Sequence, residues 1–336
     1  MRKKGKRQIN LEILRIISML MIITLHFLGH GKVLSNVEAN SSFYYLTWTI
    51  EGICYIAVNC YVLISGYFLV NSTFRIEKLI TLLVQVIFYS AFIYILFCVS
   101  GYTNFTLLEF LKAITPTISG EYWFVTMYVG MYVLSPFINV LIKNMNQKQH
   151  MSCILLLIFL FSILPSIVYY SAGLNFGGGT GVVWFIVLYM IAAYIKKYYV
   201  PEYKVRTYLL RYLIFAFLVP ICKFLLEYCA NILGGSIGNT EFLYSLSNKV
   251  YQYNSIVVLG ASVMFFLLFL NIRNENLSEK VLHISSLCFG VYLIHDNRYI
   301  RPVLWELINP PQYIGRWSFM LYMSGSIVLI FMLLLT

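Results

Sequence analysis

The chain has 336 residues, 60% of them hydrophobic and 11% charged, and its mean hydropathy is +0.78. Soluble domains carry about 25% charged residues, so a soluble globular enzyme, a disordered tail and a coiled coil are excluded. The formal net charge of +11 would suggest nucleic acid in a soluble protein. Here it points to topology, because basic residues gather on the cytoplasmic side of membrane proteins, and no nucleic-acid partner is expected.

A helix needs about 20 mainly apolar residues to cross a bilayer. Ten segments meet that description: 11–30, 46–70, 79–100, 121–142, 152–171, 178–195, 208–230, 254–272, 281–297 and 317–336. Each is apolar around its whole circumference, as lipid on one side and neighbouring helices on the other require. No hydrophilic stretch is long enough to build a separate domain. The fold expected is therefore all-α, a polytopic transmembrane helix bundle forming one domain over residues 1–336, with a basic N-terminus at 1–10. The sixth segment begins in Gly177, Gly178 and Gly179, a flexible turn. The ninth is short and Pro302 follows it, so a re-entrant loop there is the alternative.

Lysine and arginine test the direction. With the N-terminus inside, the cytoplasmic set holds Arg2, Lys3, Lys4, Lys6 and Arg7, then Arg75 and Lys78, then Lys143 and Lys148. It continues with Lys196, Lys197, Lys204, Arg206 and Arg211, and ends with Arg273 and Lys280. The outer set is only Lys32, Lys112, Lys249, Arg298, Arg301 and Arg316, while Arg15 and Lys223 fall within spans. This bias predicts both termini in the cytoplasm and a multi-pass protein of the cell membrane. The basic opening resembles a signal peptide, but its apolar run is long, lacks a small-residue cleavage site and contains Arg15, so it reads as a retained helix. The seven cysteines all lie in predicted spans, with no CxxC pattern and no disulfide framework; they read as packing residues. No fixed-period repeat is evident.

The first span carries the sharpest signal. Ionisable groups inside a span are costly and usually face a protein interior or a wet cavity. This span holds Glu12, Arg15, His26 and His30. Eleven residues separate Arg15 from His26, close to three turns, which sets them about 16 Å apart on one stripe. Glu12 lies within i,i+3 pairing distance of Arg15, and His30 stands one turn above His26. The bland reading is a headgroup ion pair with two interfacial histidines. The functional reading is a polar channel wall with a titratable imidazole that can take a proton from a hydroxyl. A metal on His26 and His30 has little support without an HExxH arrangement, and no metal is expected.

The stretch from Arg15 to His26 resembles the Arg-x10-His motif in the first helix of the acyltransferase 3 family of membrane acyltransferases. Ile64-Ser65-Gly66-Tyr67-Phe68 is similar to the family's SGY/F turn. Glu121-Tyr122-Trp123-Phe124, running on to Tyr132-Val133-Leu134-Ser135-Pro136-Phe137-Ile138-Asn139, resembles its fourth helix. Tyr189-Met190-Ile191-Ala192-Ala193-Tyr194-Ile195 and Phe289-Gly290-Val291-Tyr292-Leu293-Ile294-His295 resemble two later segments. The five run in order from residue 8 to about 296. Departures are Glu12 where an Asp is more usual, and only Arg75 and Lys78 where the third helix commonly starts with more arginine.

The resemblance implies transfer of an acyl group, usually acetyl, from cytoplasmic acyl-CoA to a hydroxyl of an envelope or exported glycan. Acyl-CoA is the donor substrate and no bound cofactor is expected. Arg75 and Lys78 would meet the polyanionic donor, with Lys196, Lys197, Lys204 and Arg206 adding to the field. Arg15 would hold the donor or steady an oxyanion, beside Glu12. His26 would act as general base or as a transient acyl carrier. Glu121, Tyr122 and Trp123 would bind the sugar acceptor through a carboxylate and ring faces, and His295 would orient it. The rival readings are a transporter or flippase for a lipid-linked glycan, which usually shows paired broken helices, and a sensor without chemistry, which leaves the buried stripe unexplained.

Overall fold

The computed structural model describes residues 8–168, 176–233, 240–273 and 278–335. Residues 1–7 of the expected basic N-terminus, the end of the fifth predicted span and Thr336 lie outside the described residues. Among the described residues the fold is all-helical, with no strand. In chain order the principal helices are α1 (Ile9–Gly29), α2 (Ser42–Cys54), α3 (Ala57–Leu69), α4 (Ile76–Val99), α5 (Leu107–Ile114), α6 (Trp123–Asn144) and α7 (Gln147–Ile158). They continue with α8 (Val182–Tyr198), α9 (Val205–Leu233), α10 (Thr240–Val250), α11 (Ile256–Asn271), α12 (Glu279–His295), α13 (Ile300–Ile308) and α14 (Phe319–Leu333).

Six helical segments among the described residues are long and apolar enough to cross a membrane: Ile9–Asn36, Ser42–Leu69, Ile76–Val99, Trp123–Asn144, Gln147–Ile167 and Val205–Leu233. The other four predicted spans coincide with the shorter helices α8, α11, α12 and α14. The second predicted span is interrupted by a turn at Tyr55 and Ile56, which separates α2 from α3. The fifth contains a π-helical stretch, Phe159–Ile163, just before Pro165; a proline there removes one backbone donor and widens the turn. The ninth is the regular helix α12, which ends at His295.

Lipid is as apolar as leucine, so helices in a bilayer associate through close packing and interhelical hydrogen bonds. Both are present. A Cβ added to Gly66 on α3 would lie 3.0 Å from the Tyr189 Cα on α8, so glycine is what lets the two backbones meet. Nearby, Asn59 is fully used: its Nδ2 donates to the Tyr253 carbonyl (2.9 Å) and to Ser262 (3.1 Å), while its Oδ1 accepts from Trp184 Nε1 (3.1 Å). Tyr189 donates to Asn139 Oδ1 at 2.8 Å, and Asn139 Nδ2 donates to the Leu69 carbonyl at 3.2 Å.

Helix α1 lies at the centre, packed by α2, α3, α11, α12 and α14. One apolar core forms around α3, α8 and α11, with Trp184, Tyr189 and Phe266 inside it. A second forms around α1, α12 and α14, with Phe27, Leu293 and Phe319 inside it. Met21 and Phe124 pack against both cores, and the polar stripe of α1 runs along this seam. By contrast α4 exposes Ile80, Val84, Phe88 and Phe92, an apolar face suited to lipid.

Candidate active site

Two polar clusters lie on the face of α1 that meets α12. Near the start of the helix, Arg15 pairs with Glu12, and Ser285 of α12 donates its hydroxyl to the same Glu12 carboxylate. Arg15 Nη1 also donates to Ser285 Oγ at 3.2 Å. Tyr61 of α3 donates to the Arg15 carbonyl at 2.9 Å. Glu12 is buried, while the Arg15 side chain keeps 28% of its surface open. A guanidinium carries five donors in a planar fork, so Arg15 can hold Glu12 and Ser285 with one edge and still offer donors to a ligand.

Three turns further along, His26 meets the end of α12. Its Nδ1 lies 3.0 Å from Nε2 of His295, and Nδ1 of His295 lies 2.6 Å from the Val291 carbonyl one turn below. A carbonyl only accepts, so His295 Nδ1 carries the proton. In the neutral ring its Nε2 then accepts, and His26 Nδ1 must donate. The chain of two bonds leaves the lone pair on His26 Nε2. The His30 ring lies beside that of His26 at a tilt, with ring centroids 4.6 Å apart. Asp296 approaches His26 at 3.9 Å and His30 at 3.8 Å, and Arg301 donates to it at 3.3 Å.

Cavities border both clusters. One of about 270 Å³ is lined by Arg15, Ser65, Leu82, Tyr128 and Ser285. One of about 280 Å³ is lined by His26, His30, Glu51, Trp123 and Asp296. Tyr61, Phe124 and Phe289 line both, so the two cavities adjoin across these rings. A third cavity, of about 390 Å³, shares His26, His30, Trp123 and Asp296 with the second and adds Glu121, Arg298 and Arg301. The stripe of α1 thus borders a succession of spaces from Arg15 past His26 to a polar mouth.

The expected site residues fall into three groups. Glu12, Arg15 and His26 border the cavities or hold the residues that do. Trp123 and Glu121 also line them, Glu121 accepting from Ser90 (2.9 Å) and from Asn297 (3.0 Å). Tyr122 and His295 sit behind that lining, both fully buried; Tyr122 donates to the Leu293 carbonyl at 2.8 Å and accepts from Asn297 at 2.9 Å. Arg75 and Lys78 are exposed at the start of α4 and line none of these spaces. Leu82, one turn beyond Lys78, does line the Arg15 cavity. Two lysines expected to add to their field have local partners: Lys196 lies over the Tyr67 ring at 4.1 Å and Lys197 donates to the Ile142 carbonyl at 3.1 Å. At the other mouth, Glu109 pairs with Lys112 at 2.8 Å and Arg298 at 2.7 Å. The Lys112 hydrogen bond holds that carboxyl below its usual range, with Arg298 adding to it.

The residues not foreseen are Ser285, Tyr61, Tyr253, Asp296 and Glu51. Among 28 tyrosines, nothing in the sequence separates Tyr61 and Tyr253 from the rest. Glu51 had a signal, since it is an ionisable residue inside the second apolar span. Tyr253 stands on a loop fixed by the glycine turn at 177–179. Its N–H donates to the Gly178 carbonyl at 2.9 Å, and Gly179, at φ +89°, could not carry a Cβ without meeting the Asn254 nitrogen at 2.6 Å.

Ligand atoms of His26, His30 and Asp296 lie within 4.8 Å of one another, a set able to hold a metal ion. The His26 nitrogen that faces Asp296 is, however, the one engaged by His295, so a cation there would have to break that bond. No curated protein and no solved structure matches the chain. A family model described as an acyltransferase domain matches residues 8–335. With that match over nearly its whole length, this membrane-helix protein belongs to the acyltransferase 3 family.

Proposed function

We propose that this acyltransferase-family protein moves an acyl group, most simply acetyl, from cytoplasmic acyl-CoA to a hydroxyl of an envelope or exported glycan. The observation that carries the reading is the hydrogen-bonded chain Val291–His295–His26, which leaves a proton-accepting nitrogen on a residue lining linked cavities. In this reading α1 starts at the cytoplasmic face, the bundle makes ten crossings in the cell membrane, and both termini are inside. The parallel course of α1 and α12 supports that: Arg15 meets Ser285 and His26 meets His295, as first and ninth spans of an alternating chain would.

The donor enters from the Arg15 end. Arg75 and Lys78 meet its phosphates at the rim, and Arg15, held by Glu12 and Ser285, binds the donor below its thioester, which reaches on toward His26. The acceptor enters by the opposite mouth past Glu121 and stacks on Trp123. His26 Nε2 takes the hydroxyl proton as the oxygen attacks the thioester carbon. The carbon–sulfur bond then breaks, and the leaving thiolate takes up the proton from His26, so the ester and free CoA are formed without a bound cofactor. General-base help of this kind is worth about 10²–10⁴-fold. Tyr122 and His295 act from behind, by fixing Asn297 and the His26 tautomer.

The test is mass spectrometry of envelope glycans from cells with and without the protein. One additional acyl group on a glycan in the presence of the protein supports the reading and names the acceptor. Identical glycan spectra, with labelled acetyl-CoA left unconsumed by the membranes, contradict it.

A further inference from the structure

The cavity beside His26 has a polar wall that the reaction above leaves unused. Glu51 on α2 is 8% exposed, lines this cavity, and its Oε2 is buried without a hydrogen-bond partner. Tyr292 on α12 is 7% exposed, lines the same cavity, and its hydroxyl is likewise buried and unpartnered. Buried polar groups in proteins almost always have partners, so two orphans on one cavity call for a common explanation. A carboxylate within an apolar span is also a marker of function.

The rest of the lining narrows the ligand. Tyr55, Tyr253 and Trp123 form a row of near-parallel rings, with centroids 4.9 and 5.7 Å apart. Stacked on one another, the three rings give the cavity an apolar aromatic side. The unpartnered Oε2 of Glu51 calls for a hydrogen-bonding group on the ligand edge that faces it, a hydroxyl or an amine. A phenol can give or take. A sugar ring has this combination of C–H faces and hydroxyl edges, and about 280 Å³ suits one ring better than several.

Resting on the acyl-transfer reading above, we infer that this cavity is the subsite for a single sugar ring of the acceptor, in which Glu51 and Tyr292 hold two ring hydroxyls while a third faces His26. Selectivity follows from the same geometry. A ring that lacks the hydroxyl facing Glu51 would strand a buried carboxylate, and sites built to hydrogen-bond a hydroxyl reject analogues without it.

The experiment uses membranes carrying the full chain, labelled acetyl-CoA as donor, and the glycan fraction of the same cells as acceptor, with KM measured for each substrate. Glu51→Gln keeps the side-chain shape and should raise the glycan KM about tenfold or more, with the acetyl-CoA KM unchanged. Tyr292→Phe removes a single oxygen and should raise the glycan KM about threefold, again with the donor constant unchanged. A wild-type glycan KM in both variants overturns the subsite, and so does a parallel rise in the two constants. If Glu51→Gln fails to accumulate, Tyr292→Phe decides alone. Absence of transfer by the wild-type chain would instead overturn the glycan reading itself, which keeps the two failures apart.

Discussion

At one end of α1, Glu12, Arg15 and Ser285 close on one another and Tyr61 fastens the Arg15 carbonyl. At the other end, His26 is anchored through one nitrogen only, and the cavity next to it holds Glu51 and Tyr292 oxygens that meet no protein partner. Both ends carry ionisable groups into an apolar bundle, and both draw their partners from α12. The difference is in what is left over. The Arg15 end satisfies its carboxylate within the protein and presents a fixed cation. The His26 end uses the protein to fix a tautomer and leaves two buried oxygens beside the cavity without a protein partner. A buried network that is fully satisfied gives rigidity; one that is satisfied on one side only is a site.

Substitutions at each end should therefore fail differently. His26→Ala removes the proton acceptor and is expected to lower acyl transfer about 10²–10⁴-fold, with membrane abundance close to wild type, as measured by glycan mass spectrometry and blotting. Arg15→Lys keeps charge but loses the guanidinium donors that remain free after Nη1 has met Glu12 and Ser285. It should raise the acetyl-CoA KM about tenfold and lower thermal stability in detergent; an unchanged KM would mean that charge alone matters there. His295→Phe keeps a ring of similar bulk but frees the His26 tautomer. Its expected cost is about tenfold in kcat, with both KM values unchanged, and His295→Gln, whose amide oxygen can still accept, should recover part of it. A loss of abundance with no change in kcat would make His295 a packing residue.

Much of this was legible in the sequence, for a physical reason. A charged group inside an apolar segment has few places to go, so the Arg15–His26 stripe on α1 could be read from spacing alone. The partners could not. Ser285 and Asp296 lie some 270 residues away, and serine is unremarkable in a helix. The recurring segments that gave the family likeness turn out to serve packing as much as chemistry: Gly66, Asn139 and Tyr189 lock α3, α6 and α8 together. The same rule that picked out α1 also applied to Glu51, where a single carboxylate in the second span stood without the stripe that made the first conspicuous. The interruption of that span at Tyr55 and Ile56 was hidden as well, since both residues are apolar enough to continue a helix.

The contrast between a closed and an open end of α1 can be measured on neighbouring residues. Ile22 lines the His26 cavity, whereas Ile23 is fully buried in the core of α1, α12 and α14. Each is replaced by cysteine in turn, and labelling by a small water-soluble thiol reagent is compared with that of the wild-type chain. An open space beside His26 predicts that Ile22→Cys reacts and that Ile23→Cys does not. Equal protection of the two from both sides of the membrane would contradict it, because His26 would then have no open space in which to meet a substrate.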